Sequence, residues 1–175
     1  RKDQRGRRDH SLRHRYVLAP ASPRFEPDRD LTVRQALERI SLGVPHEFKQ
    51  HPIIEAALHK TVGSMFRNLG ELDRAAEHAR AGLALTLPLT PASQRLRQEL
   101  ALVRSAVWRD RGQLDDARDH LAEVLAWARR ELPEDDPLLF TVLDHWGVLC
   151  HRSGQWEEAE RAFLEVARLT LDMRD

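Results

Sequence analysis

The apolar residues from His51 onward recur with a helical period. Within one kind of segment they lie at i, i+3, i+4 and i+7, and within a second kind at i, i+4, i+7 and i+8. Both spacings place side chains on one face of an α-helix, and neither has the alternation of a strand. The six sets of predicted buried residues are His59, Val62, Gly63 and Phe66; Ala75, Ala79, Gly82 and Leu83; Ala101, Arg104, Ser105 and Trp108; Ala117, Leu121, Val124 and Leu125; Leu143, Trp146, Gly147 and Cys150; and Ala159, Phe163, Val166 and Ala167.

A glycine separates the two helices of each pair. Gly70, Gly112 and Gly154 follow one another at intervals of 42 residues. Each stands where a first helix must end, and a left-handed backbone conformation is expected there. A repeat of this length is typical of units that stack on one another to share a core. The sequence therefore predicts three units, at 51–92, 93–135 and 136–175.

Small residues on both helices of a pair predict that their axes approach closely. They are Gly63, Ser105 and Gly147 on the first helices and Ala75, Ala117 and Ala159 on the second helices. Large side chains are expected to fill the volume beside these contacts, and they are Trp108, Trp146 and Phe163.

A further helix is predicted to precede the repeats, near 31–42. Thr32 and Gln35 have the spacing of a capping box, and Gly43 and Pro45 are expected to end the helix. Residues 31–50 are thus interpreted as an N-terminal capping helix followed by a loop. Residues 1–30 contain three prolines within a short stretch and are interpreted as a basic, extended linker or arm.

The 175-residue chain has a formal net charge of zero, but residues 1–15 carry seven Lys and Arg against two Asp. This basic arm could neutralise phosphates of a nucleic acid or an acidic membrane surface, or it could be a solubilising tail. A linker to another domain is preferred, and no nucleic-acid partner is expected.

No apolar run is long enough to cross a bilayer, and a cytoplasmic location is expected. Cys150 is the single cysteine and is predicted to be a buried apolar side chain.

Two segments, "VGSMFRNLGELDRAAEHARAGL" and "WGVLCHRSGQWEEAERAFLEVA", resemble the tetratricopeptide repeat. The middle unit departs from that motif at Arg104 and Ser105. The 42-residue spacing is similar to the longer variety found in kinesin light chains and many bacterial regulators. The start of the helical region, "LTVRQALERI", together with the first unit is similar to the repeat region of large bacterial serine/threonine kinases, although no kinase motif occurs. The resemblance implies an all-α fold, a right-handed α-solenoid of three helix pairs plus one preceding helix.

The resemblance also implies a non-enzymatic protein–protein interaction module, in a bacterial signalling protein, that binds its partner on the concave face lined by the first helices. Outward positions on these helices carry the candidate partner-binding residues Lys60, Arg67, Asn68, Arg109, His151 and Arg152. Arg67, Arg109 and His151 lie one repeat apart and are predicted to stack as a ladder. A basic groove of this kind suits an acidic peptide, because arginine pairs with carboxylates through two hydrogen bonds. The alternative is an ordinary solvated helix face.

The last helix suggests a second function. Val166, Leu169 and Met173 have no helix after them in the given sequence, so we expect either that further repeats follow in a longer protein or that this end packs against another molecule. In the second case the end would act as a self-association module and give a homodimer. No catalytic residue, metal site or cofactor is predicted. The nine histidines lack the spacing of zinc ligands, and no nucleophile with an activating partner is found.

Overall fold

The computed structural model describes residues 32–48, 50–87 and 90–172, and within these ranges all regular structure is helical. The helices are α1 (Val33–Glu47), α2 (Pro52–Asn68), α3 (Leu72–Leu85), α4 (Pro91–Asp110), α5 (Leu114–Glu131), α6 (Pro137–Arg152) and α7 (Trp156–Asp172). The predicted all-α fold of three helix pairs preceded by one helix is confirmed. The division of the whole chain at residues 30, 50, 92 and 135 stays a prediction.

The turn between the two helices of a pair is a Schellman motif in all three units. In the third unit Gly154 has φ 75°, its N–H donates to the carbonyl of His151 at 3.1 Å, and the N–H of Gln155 donates to the carbonyl of Cys150 at 2.9 Å. Gly70 and Gly112 have the same conformation and the same two hydrogen bonds. A positive φ is costly for residues with a side chain, and this requirement accounts for glycine at a fixed interval.

Helix α1 is longer than the sequence predicts. It begins at Val33, directly after Thr32, but it continues through Gly43 and Pro45 to Glu47. The prediction that these two residues end the helix is wrong. Leu37 is buried between α1 and the first pair, and the Ser41 side chain is hydrogen-bonded to α3. Such tertiary contacts can override the low helix propensity of glycine and proline.

Helices α4 and α6 are each packed between two second helices, and α2 is packed between α1 and one second helix. Helix α4 contacts α3 and α5, and α6 contacts α5 and α7, whereas α2 contacts α3 on one side and α1 on the other. First helices of neighbouring units also touch, α2 with α4 and α4 with α6. Helix pairs that could not bury their own apolar faces are therefore stabilised by stacking.

Most residues that the periodicity predicts to be buried are buried. In the middle unit Arg104 and Trp108 are only partly buried. The Arg104 guanidinium lies 5.0 Å from the centre of the Trp108 ring and donates to Nε2 of His120 at 2.8 Å. In the last helix, by contrast, the prediction is wrong for Phe163 and Ala167, which are exposed. No described helix follows α7 to cover them.

Buried histidines connect α1 to the first repeat. The Nδ1 atoms of His59 and His78 are 2.8 Å apart, and the Ser41 hydroxyl is 2.8 Å from Nε2 of His78. One imidazole must donate and the other accept at the short Nδ1–Nδ1 contact, so the accepting ring must be neutral. Burial, and then the neighbouring His59, lower the pKa of His78 to about 4. The pKa of His59 is also lowered by burial.

We predict that the protein loses stability in mild acid. Burial lowers the pKa of His78, His120 and His145 from 6.5 to about 4. The unfolded chain therefore binds more protons than the folded chain between about pH 6.5 and pH 4, and stability falls as the pH falls through that window. Each such histidine should lower the free energy of unfolding by roughly 1–2 kcal/mol at about pH 5 relative to about pH 7.5.

Urea unfolding followed by circular dichroism at the two pH values measures this difference. A His120→Gln variant should show a smaller difference than the parent chain, because one of the histidines with a lowered pKa has been removed. Equal stability at the two pH values would contradict the prediction.

Candidate functional site

The first helices α2, α4 and α6 line a cavity of about 370 Å³, which we call the first-helix groove. Leu102, Val103 and Leu138 form its apolar floor. Its polar residues come from all three helices and are Lys60, Ser64 and Arg67 on α2, Arg95 and Glu99 on α4, and Thr141 and His145 on α6. The groove thus combines apolar surface with charges of both signs.

Ion pairs cross the groove near Glu99. Lys60 of α2 pairs with Glu99 of α4, and Arg95 lies 3.5 Å from the same carboxylate. Arg95 also reaches the next unit, where its guanidinium donates to both carboxylate oxygens of Asp136 at 2.7 and 2.9 Å. These hydrogen bonds lower the pKa of Asp136, the residue that caps α6. The cations in this part of the groove are therefore matched by carboxylates.

A second set of charges, which we call the Asp110 cluster, comprises Arg67, Arg109, Asp110 and Arg152. Arg67 Nε donates to Asp110 Oδ2 at 2.8 Å, and Arg152 donates to Oδ1 at 3.1 Å. Arg109 Nε donates to the same Oδ1 at 3.2 Å. Burial alone would raise the pKa of Asp110, but the hydrogen bond from Arg67 and the charge of Arg109 outweigh it and lower the pKa. Three guanidinium groups, one from each unit, thus share one carboxylate.

His145 lies in the groove near the Asp110 cluster. Its Nδ1 is buried and has no hydrogen-bond partner among the residues that the structure describes. Burial, followed by the charges of Arg109 and Arg67, lowers the pKa of His145 to about 4. The ring is therefore neutral at physiological pH and adds no charge to the groove.

The structure brings together some of the predicted partner-binding residues but not all. Lys60 and Arg67 line the groove, and Arg152 joins Arg67 through Asp110. Asn68 is exposed outside the residues that line the groove. The outward orientation predicted for Arg109 is wrong, because only 8% of its surface is exposed. Helix α4 is flanked by α2 and α6 as well as by its second helices, and this crowding buries side chains that would face outward on an end helix.

The predicted ladder of Arg67, Arg109 and His151 is also wrong at its third member. His151 packs edge-on against Trp156, with ring centres 4.8 Å apart. Together with Phe163 and Leu164 these residues line a different cavity, of about 400 Å³, at the last unit. The contacts between units run instead from Arg67 to Asp110 and from Asp110 to Arg152.

Sequence reasoning missed the acidic partners of the groove. Asp110, Glu99 and Asp136 each lie close to one repeat length from a basic residue that they contact. Pairs of opposite charge at that separation could have been found by comparing the units position by position. His145 carries no such signal, because its burial depends on how α6 packs.

The residues predicted for self-association have different environments. Leu169 is buried in the core around α5, α6 and α7, and the expectation that it lies at an open surface is wrong. It points toward the preceding helices, because α7 must cover α6 with one face. Val166 is partly buried against the same core, and Met173 lies outside the described residues. The exposed large apolar side chains of α7 are Trp156, Phe163, Leu164 and Leu171.

Cys150 is buried as predicted, and burial raises the pKa of its thiol. Among residues 32–48, 50–87 and 90–172, no group of three or more His, Cys, Asp or Glu side chains is placed to hold a metal ion. No helix in the described part of the chain has the length and apolar character needed to cross a membrane.

We predict that Asp110 stabilises the array by neutralising arginines from three units. Asp110→Asn keeps the shape of the side chain but removes the charge that Arg67, Arg109 and Arg152 share. The free energy of unfolding should fall by roughly 1–3 kcal/mol, as expected when a partly buried cation loses its partner. Urea unfolding measures the change.

Asp73→Asn is the matched control. Asp73 also pairs with an arginine, Arg111, but its side chain is 95% exposed. Exposed ion pairs add little to stability, so the control should unfold like the parent chain. Equal effects of the two substitutions would contradict a special role for Asp110.

Comparison with known families agrees with this architecture. Residues 95–171, from α4 to the end of α7, match the family model of the tetratricopeptide repeat. No curated protein matches the chain. Tetratricopeptide repeats generally mediate protein–protein interactions. The family match over these residues and the stacked helix pairs together support an all-α solenoid of the tetratricopeptide-repeat type.

Proposed function

We propose that the chain is a non-enzymatic interaction module that binds an acidic peptide segment of a protein partner in the first-helix groove. The observation that carries the proposal is the Asp110 cluster, in which three arginines share a single carboxylate. The three arginines of the cluster outnumber its single carboxylate. A carboxylate of a partner can therefore bind to an arginine there without breaking every ion pair within the cluster. A bacterial signalling protein is the setting we propose, on the resemblance of the repeats.

The groove differs from a simply basic surface. Near Glu99 the cations are already paired, so a partner gains little charge attraction there. Leu102, Val103 and Leu138 offer apolar contacts along the same groove. A suitable peptide therefore carries its acidic residues toward Arg67 and Arg152 and apolar residues toward the floor. Backbone groups of an extended peptide can hydrogen-bond to Ser64 and Thr141, which also line the groove.

Binding of a fluorescein-labelled peptide that alternates Glu and Ser tests the proposal, with a Gln–Ser peptide as the uncharged control. Arg152 is half-exposed, and Arg152→Gln should weaken binding of the acidic peptide about three- to tenfold by removing one charge-assisted hydrogen bond. Asp110→Asn should strengthen binding, because Asp110 competes with the peptide for the arginines. Added salt should weaken binding to the parent chain.

Arg129→Gln is the matched control variant. Arg129 of α5 is as exposed as Arg152 and also pairs with one carboxylate, that of Glu165, but it lies on a second helix and does not belong to the Asp110 cluster. Its substitution should leave binding unchanged. Equal weakening by both substitutions, or equal binding of the Glu–Ser and Gln–Ser peptides, would rule out the groove as a carboxylate site.

A second proposed function is self-association through the C-terminal repeat. The observation that favours it is an exposed apolar pair on the outer side of α7, Leu164 and Leu171, each more than half exposed and two helical turns apart. Burying such side chains between two copies removes apolar surface from water and stabilises a dimer. Leu169, which is buried, would act only by holding α7 in place.

For this second proposal we predict that the average mass in sedimentation equilibrium rises with protein concentration. Replacing both Leu164 and Leu171 with Asp should give a monomer that remains folded, because neither side chain is in the core. Leu87→Asp, at an equally exposed position after α3, is the control and should associate like the parent chain. A parent chain that stays monomeric at every concentration would exclude self-association.

A further inference from the structure

The middle unit differs from the other two at Arg104. Positions that are 42 residues apart are equivalent, so Val62, Arg104 and Trp146 correspond. Val62 and Trp146 are 2% and 8% exposed, as expected for apolar residues of the first helices. Arg104 is partly buried on α4, which is flanked by helices on both sides. A cation therefore lies where the fold provides surroundings for an apolar side chain.

Arg104 lies over α4 in the space between the second helices α3 and α5, which we call the middle crevice. Its guanidinium donates to His120 of α5 at 2.8 Å and lies 5.0 Å from the centre of the Trp108 ring. Arg97, two helical turns earlier on α4, donates to the carbonyl of Leu83 at the end of α3. The two arginines thus reach both second helices from the first helix that separates them.

The two outer crevices, between α1 and α3 and between α5 and α7, also contain an arginine beside an aromatic ring. In the first of them the Arg74 guanidinium lies 5.3 Å from the centre of the Phe66 ring. In the other, the Arg118 guanidinium lies 5.5 Å from the centre of the Trp146 ring. In all three crevices the first helix therefore supplies a ring that an arginine covers.

A carboxylate joins the arginine from the facing helix in both outer crevices. Arg74 pairs with Glu38 of α1 at 2.7 Å, and Arg118 pairs with Glu158 of α7 at 3.1 Å. Arg104 makes no ion pair with any residue that the structure describes, and within the described ranges no ion pair joins α3 to α5. The middle crevice thus has the arginine and the ring of the other two without their carboxylate.

The electrostatic surroundings of Arg104 favour an anion. His120 is a neutral acceptor, because burial and then the charge of Arg104 lower its pKa to about 4. Burial, followed by the charge of Arg97, also lowers the pKa of Arg104, and the carboxylate of Glu123 offsets this only in part. A partly buried cation without a carboxylate in contact is stabilised when an anion binds to it.

We infer that the middle crevice is a recognition site for a carboxylate side chain of a partner protein, which pairs with Arg104 as Glu38 and Glu158 pair with their arginines. Carboxylate is the group assigned because it occupies this place in both outer crevices. The site is separate from the first-helix groove, whose lining includes neither Arg97 nor Arg104. It therefore does not depend on either proposed function.

A titration of the full chain with N-acetylglutamate N-methylamide, a blocked glutamate, tests the site by heteronuclear NMR. The Arg104 Nε–H and Trp108 indole N–H resonances should shift saturably, and the blocked glutamine, which lacks the charge, should not shift them. Arg118, which is already paired, should respond about tenfold more weakly. Arg80, which is exposed on α3, should also respond more weakly, because a solvated arginine gains little from a carboxylate.

Two variants test the role of the carboxylate that the middle crevice lacks. Arg104→Met keeps much of the side-chain length and should abolish the Trp108 shift without lowering the urea midpoint, because an apolar residue suits this position. A residue needed only for the fold would lower the midpoint instead. Glu158→Gln removes the carboxylate between α5 and α7, so Arg118 and the Trp146 indole should then respond to the blocked glutamate as well.

Several outcomes would overturn the inference. One is a response of Arg104 no stronger than that of Arg80, and another is a Glu158→Gln variant in which Arg118 still fails to respond. A response of Arg104 that appears only after Glu123→Gln would also overturn it, since the chain would then supply the carboxylate itself.

Two comparisons identify the source of the carboxylate and the surface that binds it. Free glutarate should bind no more tightly than the blocked glutamate, and much tighter binding of glutarate would contradict a protein side chain as the ligand. Arg152→Gln should leave the Arg104 response unchanged, because Arg152 belongs to the Asp110 cluster. Loss of the response in that variant would place the binding in the first-helix groove and overturn the assignment to the middle crevice.

Discussion

The structure depends on the packing of each first helix between two neighbouring helices. A helix with apolar residues on two sides cannot bury them against a single neighbour, and the α4 and α6 sequences have such residues along most of their length. Stacking removes both sides from water at once, which is the main favourable contribution to folding. The Schellman turns make this stacking regular, because each one has the same glycine conformation and the same two hydrogen bonds and begins a second helix beside the first.

The same packing controls the chemistry of the surface. Where first helices touch one another, their polar residues must find partners across the contact, and Asp110 receives arginines from three units. Burial also keeps His78, His120 and His145 neutral by lowering their pKa values. The groove is therefore a partly neutralised surface whose excess positive charge is concentrated near Arg67 and Arg152. Its recognition properties follow from that distribution more than from the number of basic residues.

The two ends of the array show how far a repeat sequence depends on its neighbours. At the first end, α1 covers α2 with Leu37, and Ser41 of α1 is hydrogen-bonded to His78, which pairs with His59. At the other end, residues of α7 that correspond to buried residues of α3 and α5 are exposed. The sequence positions are equivalent and the environments are not, because burial at each position is provided by the following unit.

The periodicity and the repeated glycine were sufficient to predict the helix pairs, the turns and most of the core, since these depend on local backbone geometry and on which face of a helix is apolar. Cys150 and the small residues at the contacts within each pair were predicted on the same basis. Only the tertiary structure decided the burial of Arg109, the position of His151 beside Trp156 and the burial of Leu169. Only the tertiary structure also decided the continuation of α1 through Pro45 and the convergence of Arg67 and Arg152 on Asp110. These features arise from contacts between units, and the direction of a side chain at such a contact depends on helices that are distant in the sequence.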